Sequence, residues 1–300
     1  MKSTRPLLAL PAMLVACASG RFQASGDDID DLVDAAPAVD AGATDAASAP
    51  TDGASPDAPP AAVAALVLTE IALAPNSSEL IELYNPTAAP VALRNYYLTD
   101  VPTYFRLPAA GQTVEASDFI ARFPAAATIP AGGVVTVALD TAANFTAATG
   151  TAPTYSVASG TMELVAGSAP TLTNAGEPVV LFYWDGTSDR VTDVDIMLAG
   201  APTAANLLVN KSGLAVDGPD LDTVAVAYAN DAHTMPAQSA APGSGLSTKR
   251  VARESAATET QLGGNGVLGQ DETSEQTQTT WDTGAFSALT PGSVPASLSN

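Results

Sequence analysis

The two residue types that most often supply general bases, nucleophiles and soft metal ligands each occur once in this chain. His233 is the only histidine and Cys17 is the only cysteine. A Ser-His-Asp or Cys-His relay therefore has one possible base, and no Gly-x-Ser-x-Gly frame for a nucleophilic serine occurs. A zinc site would need several His or Cys ligands. His233 lies in a polar, proline-containing stretch, so we predict a solvent-exposed loop histidine and no enzymatic activity.

Two pairs of carboxylates lie in predicted strands, where spacing decides which face each side chain takes. Glu79 and Glu82 are three residues apart, so they should point to opposite faces and not form a general acid and base pair. Asp193 and Asp195 are two residues apart and should share a face.

A third group of carboxylates crowds a Gly-Pro turn and consists of Asp217, Asp220 and Asp222. Either this group or the pair of Asp193 and Asp195 could hold a weakly bound calcium ion, because carboxylate oxygens are the ligands that Ca²⁺ prefers. Neither group has the spacing of a known calcium-binding loop. The sequence therefore favours solvated acids in a loop and a hairpin, and no cofactor is predicted.

The start of the chain has the layout of an export signal. Lys2 and Arg5 precede an apolar run over residues 7–16, which is too short for a membrane-spanning helix of about 20 residues. The run ends at Cys17 and resembles the bacterial lipobox, in which a diacylglycerol is attached to the cysteine and the chain is cut before it. The resemblance implies a signal peptide over residues 1–16 and a lipid anchor at Cys17. Ala18 favours an outer-membrane location.

Residues 18–65 are rich in Ala, Asp, Pro, Ser, Gly and Thr and contain few large apolar side chains. Such a segment cannot bury enough apolar surface to offset the loss of chain entropy on ordering. We predict that residues 17–65 are the lipid anchor and a disordered tether. The formal net charge of the chain is −21, which argues against a nucleic-acid partner because phosphate neutralisation needs basic surfaces.

Beyond residue 65 the sequence changes to short β-branched and aromatic runs separated by Gly, Pro and Asn, which predicts an all-β domain. A hairpin is predicted over residues 181–196, with Asp185-Gly186 in the turn. Short helices are predicted near Ser117, with Phe119, Ile120 and Phe123 on one face, and over residues 141–148. The predicted strands are residues 66–73, 79–85, 91–98, 134–139, 162–165, 179–184, 190–197 and 224–228.

The motifs in these runs resemble those of the lamin tail domain family. Thr69-Glu70-Ile71 is followed by Glu-Leu-Ile-Glu-Leu-Tyr-Asn at residues 79–85 and by Leu-Thr-Asp at residues 98–100. Ser247 and Arg250 match a late serine-x-x-arginine strand, and residues 290–292 match a terminal Thr-Pro-Gly. The resemblance implies an immunoglobulin-like β-sandwich over residues 66–293, with residues 294–300 as a tail. It also implies that Glu79 and Glu82 are scaffold residues of the family.

A sandwich of this kind takes about 100 residues, so about half of the domain should be insertion. The candidate insertions are residues 101–127, 151–169, 199–221 and 263–279, whose composition suits surface loops that carry binding function. A separate small domain within residues 199–245 stays open. The polar segment 264–278 is predicted to be removable, whereas residues 281–292 should close the sandwich.

The aromatic residues at strand spacing are predicted to be core rather than a ligand platform. They are Tyr96, Tyr97, Phe182, Tyr183, Trp184 and Trp281.

Two functions are consistent with these features. The first is a non-enzymatic surface lipoprotein at the cell envelope, anchored in the membrane through Cys17, whose domain contacts an envelope protein or polysaccharide through the inserted loops. The alternative is an accessory protein of an exported hydrolase or nuclease that is encoded separately, which the neighbouring genes would reveal.

Overall fold

The computed structural model describes residues 63–110, 112, 114–200, 208–233, 240–255, 257–259 and 263–299. The predicted signal peptide, Cys17 and residues 18–62 of the predicted tether lie outside the described residues. Within the described part of the chain, no helix has the length and apolar character needed to cross a membrane.

The described residues form a mostly β structure with two large sheets. The strands are β1 (Val67–Ala72), β2 (Leu80–Tyr84), β3 (Val91–Ala92), β4 (Tyr96–Thr99), β5 (Ile120–Arg122), β6 (Thr128–Ile129), β7 (Val134–Ala138), β8 (Tyr155–Ser156), β9 (Glu163–Ala166), β10 (Gly176–Tyr183), β11 (Thr192–Gly200), β12 (Ala215–Val216), β13 (Val226–Ala227), β14 (Leu246–Lys249) and β15 (Ser287–Ala288). The six-stranded sheet has the order β15-β14-β1-β2-β7-β8, and the five-stranded sheet has the order β11-β10-β4-β5-β9. Two small sheets pair β12 with β13 and β3 with β6.

The two large sheets enclose one apolar core. The six-stranded sheet contributes Leu68 and Ile81, and the five-stranded sheet contributes Leu98 and Leu181, all of them fully buried. Side chains from two sheets that interdigitate in one core define a β-sandwich. The predicted immunoglobulin-like sandwich is therefore confirmed.

Helices are few among the described residues. Helix α1 (Ala142–Thr149) was predicted and is confirmed: the Thr141 side chain accepts a hydrogen bond from the Asn144 amide, and Gly150 ends the helix at a φ of 77°. Helix α2 (Thr277–Thr280) is a single turn, and short 3-10 helices occupy Asn76–Ser78, Tyr104–Ala109, Val267–Gly269 and Glu272–Ser274.

The helix predicted near Ser117 is wrong, because this segment forms strand β5 between β4 and β9. Phe119 and Phe123 enter the main core, whereas Ile120 packs in a second apolar cluster on the other side of the sheet. This alternation has the period of a strand. The predicted strand over residues 91–98 is also interrupted, since Tyr96 donates its amide to the Leu93 carbonyl in a turn between β3 and β4.

Several segments predicted as inserted surface loops belong to the folded structure. Residues 101–127 contain β5, and residues 151–169 contain β8 and β9. The described residues of segment 199–245 form no separate domain, because Val209, Val216 and Tyr228 share the second apolar cluster with Tyr97 and Phe182. Between β11 and β14, the described residues contain only the short strands β12 and β13.

Most of the aromatic residues predicted to be core are buried. Tyr96, Tyr97, Phe182 and Trp281 are at most 3% exposed, whereas Tyr183 and Trp184 are half-buried.

The C-terminal segment closes the sandwich, as predicted. Strand β14 pairs with β1, and β15 pairs with β14. Glu70 Oε1 and Oε2 accept hydrogen bonds from the backbone amide and the hydroxyl of Thr290, and Glu82 Oε2 accepts one from the Gly292 amide at 2.6 Å. The two glutamates of the N-terminal motifs therefore fix the terminal Thr-Pro-Gly.

The prediction that residues 264–278 form a removable polar surface segment does not agree with their burial. Val267 belongs to the main core, and Glu272, Ser274 and Glu275 are at most 4% exposed. Polar composition predicted exposure here, but these side chains take part in a buried charged network.

Candidate functional site

Three loops meet at one end of strands β10 and β11. They are the hairpin loop 184–191, the segment 217–228 and the segment 263–269. Arg190 joins them, because its Nη1 donates to the Ala227 carbonyl at 2.9 Å and to Asn265 Oδ1 at 3.2 Å. We call these three segments the loop surface.

The hairpin loop is ordered by its own polar groups. Asp185 Oδ1 accepts hydrogen bonds from the amides of Thr187 and Ser188, both at 2.8 Å, and Gly186 adopts a φ of 91°. Trp184 Nε1 donates to the Ser188 carbonyl at 2.8 Å. The predicted hairpin is thus confirmed, with Asp185 and Gly186 in the turn as expected.

A buried ionic network lies beneath the loop surface. Lys211 Nζ pairs with Asp193 Oδ2 and lies 3.3 Å from Asp231 Oδ2, and all three side chains are almost wholly buried. The Tyr104 hydroxyl donates to Asp193 Oδ1 at 2.6 Å, and the Asn265 amide donates to Asp231 Oδ2 at 3.0 Å. Because each buried charge is paired and hydrogen-bonded, this network connects the loops firmly to strand β11.

Three carboxylates lie together on the loop surface. Asp189, Asp217 and Asp220 each offer an oxygen atom, and these atoms lie within 4.8 Å of one another. Asp189 is buried, Asp220 is half-buried and Asp217 is exposed. We call them the loop carboxylates. They are the residues of this surface best suited to hold a metal ion.

Gly218 allows this approach of the two segments. A Cβ at this position would lie 2.8 Å from the Ser188 carbonyl oxygen and 2.9 Å from Asp189 Cα. The Gly218 amide also donates to Asp189 Oδ1 at 2.7 Å. Segment 217–220 is therefore held against the hairpin loop at the position where its aspartates meet Asp189.

The sequence-predicted calcium candidates are only partly brought together. Asp222 is not one of the loop carboxylates: its amide donates to Asp220 Oδ1, and its own Oδ1 accepts from the Val224 amide at 2.7 Å. Asp189, which completes the group, was missed because it lies far away in the sequence.

Asp193 and Asp195 do not share a face, in contrast to the prediction. Asp193 lies opposite Phe182 and Asp195 lies opposite Leu181, so that Val194 is an extra residue in a β-bulge. Phe182 and Leu181 belong to different apolar clusters on the two sides of the sheet. A bulge breaks the two-residue period, and both carboxylates are buried in ion pairs rather than solvated.

The second buried network surrounds Arg250. Its Nη2 contacts Asp195 Oδ1 at 2.6 Å, and its Nη1 contacts Glu254 at 2.6 Å and Glu275 at 2.9 Å. Its Nε donates to the Leu68 carbonyl at 2.7 Å. The guanidinium also lies 4.8 Å from the centre of the Trp281 ring. Arg250, predicted from the family motif, thus joins β1, β11 and the C-terminal segment.

A third group of carboxylates lies at the start of β10 and contains Asp100, Asp118 and Glu177. Asp100 Oδ1 accepts from the Phe119 amide at 2.7 Å, and both Glu177 oxygens accept from Thr173. Burial, and then the charge of Glu177, raise the pKa of Asp100 to about 9. This carboxyl group is therefore neutral near pH 7.

Glu79 and Glu82 have different hydrogen-bond partners, so their carboxylates do not form a shared site. Glu79 Oε1 accepts from the Leu172 amide at 3.1 Å, whereas Glu82 bonds to Thr69 and Gly292. Burial raises the pKa of Glu79 to about 8 and that of Glu82 to about 7. Their hydrogen bonds agree with the predicted scaffold roles.

His233 is half-buried, so the prediction of a solvent-exposed histidine is wrong. Its Nδ1 accepts a hydrogen bond from the Val209 amide at 3.0 Å, and its own amide donates to the Val209 carbonyl. Burial, and then the charge of Lys211, lower the pKa of His233 to about 3. The neutral imidazole thus acts as a backbone acceptor at the edge of the Lys211 network.

The loop surface also exposes large apolar side chains. Leu221 is fully exposed, Val224 is 63% exposed and Leu268 is 89% exposed. Leu268 also adopts a φ of 63°, which is uncommon for a residue with a side chain. These residues lie within the predicted insertions or beside them, although no pattern in the sequence singled them out.

Comparison with known proteins identifies the region that carries the motifs. Residues 59–198 match the family model of the lamin tail domain. The predicted resemblance is confirmed over this segment, while β12 to β15 lie beyond it. No curated protein matches the chain significantly. A crystal structure of a DUF4876 family protein from Bacteroides thetaiotaomicron is similar at 13% identity and a TM-score of 0.40, covering 78% of this chain and 75% of that one.

Proposed function

We propose that this protein, whose residues 59–198 match the lamin tail domain, is a non-enzymatic lipoprotein of the cell envelope. A lipid on Cys17 attaches it to the membrane, and the domain contacts an envelope protein or polysaccharide.

 The contact surface in this proposal is the loop surface.

The observation that carries the proposal is the exposure of Leu221 and Val224 on loops with a rigid base. Leu221 is fully exposed and Val224 is 63% exposed. A patch of exposed apolar side chains that is rimmed by polar groups is typical of a contact site. The buried Lys211 network and the bonds of Arg190 hold the loops in place, which lowers the entropy lost when a partner binds.

The anchor in this proposal rests on the sequence around Cys17. Two or more acyl chains are needed for stable membrane attachment, and the lipobox resemblance implies such a modification. Labelling of cells with a palmitate analogue should tag the protein, and Cys17→Ser should abolish the label. A substituted protein that is still tagged would refute the lipoprotein assignment.

The contact surface can be tested with the purified full chain and isolated cell envelopes. Because a lipid on Cys17 would itself hold the chain on membranes, every variant in this assay also carries Cys17→Ser. We expect the Cys17→Ser chain to sediment with the envelopes, and the same chain with Leu221→Ser and Val224→Ser to lose most of this binding. Val165→Ser is the matched control, because Val165 is 40% exposed and lies on β9. Strands β9 and β11 form the two opposite edges of the five-stranded sheet, so Val165 lies away from the loop surface. Equal binding by the double variant would contradict the proposal. Protease treatment of the envelopes distinguishes a protein partner from a polysaccharide.

The absence of enzymatic activity is tested separately. The pKa of His233 is lowered to about 3, and its Nδ1 already accepts the Val209 amide, so it is a weak general base. Esterase, nuclease and phosphatase assays should give no activity above background. Activity that His233→Ala removes would show that the protein is an enzyme.

A further inference from the structure

We propose that the loop carboxylates Asp189, Asp217 and Asp220 bind one Ca²⁺ ion, and that this ion fixes the loop that presents Leu221 and Val224. The inference deepens the proposed function and rests on it for the location outside the cytoplasm, where free Ca²⁺ is abundant.

The separation of the carboxylate oxygens suits a single ion. One oxygen atom from each of the three residues lies within 4.8 Å of the other two. Ca²⁺ binds oxygen at about 2.3 to 2.6 Å, so two ligands of one ion lie at most about 5 Å apart. The three side chains can therefore reach a common ion without rearrangement of the backbone.

Two oxygens of this group are buried without a partner. Asp189 Oδ2 and Asp220 Oδ2 accept no hydrogen bond from the described residues. Asp189 is only 3% exposed, and its other oxygen holds the Gly218 amide. A buried carboxylate oxygen that lacks a partner costs free energy. A bound cation would remove this cost.

The negative charge of the group is also not compensated by any side chain among the described residues. None of the ion pairs between described residues includes Asp189, Asp217 or Asp220. The carboxylates Asp195, Glu254 and Glu275 have a similar arrangement, but Arg250 occupies that group. Asp217 is exposed, which gives an ion from solvent a route to the loop carboxylates.

The ligand atoms indicate the class of metal. An all-carboxylate group favours hard cations, and the exposed side of the site leaves room for water ligands. Ca²⁺ tolerates the irregular geometry of such a group, whereas Mg²⁺ requires a nearly ideal octahedron. We expect a dissociation constant of about 10⁻⁴ to 10⁻³ M, which is typical of extracellular modules.

A bound ion would affect Leu221 and Val224 through the backbone that follows Asp220. Leu221 directly follows Asp220, and the Val224 amide bonds to Asp222, whose own amide bonds to Asp220. An ion that holds Asp220 against Asp189 therefore limits the positions of Leu221 and Val224. Binding to envelopes should then depend on Ca²⁺.

Calorimetric titration of the purified full chain with CaCl₂, after treatment with a chelator, tests the site. We expect one Ca²⁺ per chain and a rise of about 3 to 6 °C in the midpoint of thermal unfolding at ten times the dissociation constant. Asp189→Asn and Asp217→Asn should each weaken Ca²⁺ binding at least tenfold. Since Asp217 is exposed, its substitution should leave the fold intact even if Asp189→Asn does not.

Two matched variants locate the ion. Asp222→Asn changes a neighbouring aspartate outside the group, and Asp100→Asn changes the other cation-free group, so both should bind Ca²⁺ as the unsubstituted chain does. Absence of Ca²⁺ binding by the unsubstituted chain, unchanged affinity in Asp217→Asn, or loss of binding in Asp100→Asn would each overturn the proposal. Palmitate labelling and envelope binding are measured independently, so that failure of the metal site is distinguishable from failure of the proposed function.

Discussion

The Arg250 network and the loop carboxylates each contain three acidic side chains, but only the first group surrounds a positively charged side chain. In each, three carboxylates offer oxygens within 4.8 Å of one another. Arg250 fills the first group with hydrogen bonds of 2.6 to 2.9 Å, whereas no described cation pairs with the second. A carboxylate cluster therefore indicates a metal site only where the protein does not supply the positive charge itself.

The carboxylates at the start of β10 are neutralised in a third way. Asp100, Asp118 and Glu177 lie together without an ion pair among the described residues, and burial raises the pKa of Asp100 to about 9. A proton therefore neutralises Asp100 near pH 7. The negative charge of the three groups is thus compensated by an arginine in the first, by a proton in the third and, in our proposal, by a calcium ion at the loop carboxylates.

Replacing the central cation of the first network should have the largest effect. Arg250→Met leaves Asp195 and Glu275 buried beside each other without a positive charge. Breaking a buried pair costs about 3 to 5 kcal/mol, out of a total stability of about 5 to 15 kcal/mol. We expect a chain that is unfolded, or that unfolds at a much lower temperature, in circular dichroism melts. Arg106→Met, at an exposed arginine, is the control; equal melts for both variants would contradict this role of Arg250.

Removal of residues 264–278 should have the next largest effect. The deletion takes away Glu275, which bonds to Arg250 at 2.9 Å, and Val267, which lies in the main core. Loss of a hydrogen bond to a charged group alone costs about 1.5 to 3 kcal/mol. We expect a free energy of unfolding at least about 2 kcal/mol lower in urea titrations. A shortened chain as stable as the full chain would show that the segment is dispensable.

The protonated Asp100 predicts that the stability of the protein depends on pH. The pKa of Asp100 is about 9 in the folded state against an ordinary value of 3.8. Its contribution to stability is therefore complete below about pH 4 and is lost as the pH rises toward 9. Asp100→Asn, which stays neutral, should be at least about 1 kcal/mol more stable than the unsubstituted chain at pH 9. Urea titrations between pH 5 and pH 9 measure this.

The control for this pH profile is Glu163→Gln, because the Glu163 side chain is 65% exposed. Its profile should parallel that of the unsubstituted chain. If the profile of Asp100→Asn were parallel as well, Asp100 would not be the group that titrates.

The smallest effect on stability is expected at the top of the loop surface. Leu221 and Val224 are largely exposed, and surface substitutions usually change stability by less than about 0.5 kcal/mol. Leu221→Ser with Val224→Ser should therefore melt within about 2 °C of the unsubstituted chain. A larger decrease would mean that these side chains are part of the fold rather than a contact surface.

The sequence predicted the sandwich well, because its central strands carry strong patterns. The motif at residues 79–85 and the β-branched run at residues 134–139 identified β2 and β7, which lie inside the six-stranded sheet. The helix predicted near Ser117 failed because Phe119, Ile120 and Phe123 fit both a helical face and a strand with two buried sides. Pairing of β5 with β4 and β9 decides between them, and such long-range pairing leaves no local signal.

The candidate site was predicted only in part. Asp217 and Asp220 were identified from local crowding, but Asp189 reaches them through a hairpin and through the close approach at Gly218. The bulge at Val194 reversed the expected relation of Asp193 and Asp195. Burial of His233 depends on its contact with Val209. Each of these errors arises from tertiary structure that spacing alone does not encode.

The position of Trp184 allows a direct test of the loop carboxylates. Its indole donates to the Ser188 carbonyl at 2.8 Å, beside Asp189. Tb³⁺ replaces Ca²⁺ at oxygen sites, and an excited indole close to the ion sensitises its emission. We predict sensitised Tb³⁺ luminescence from the full chain that Ca²⁺ competes away, that Asp217→Asn abolishes, and that Trp184→Phe abolishes without loss of calorimetric Ca²⁺ binding. Sensitised emission that persists in both variants, or that Ca²⁺ does not reduce, would contradict the assignment of a calcium site to Asp189, Asp217 and Asp220.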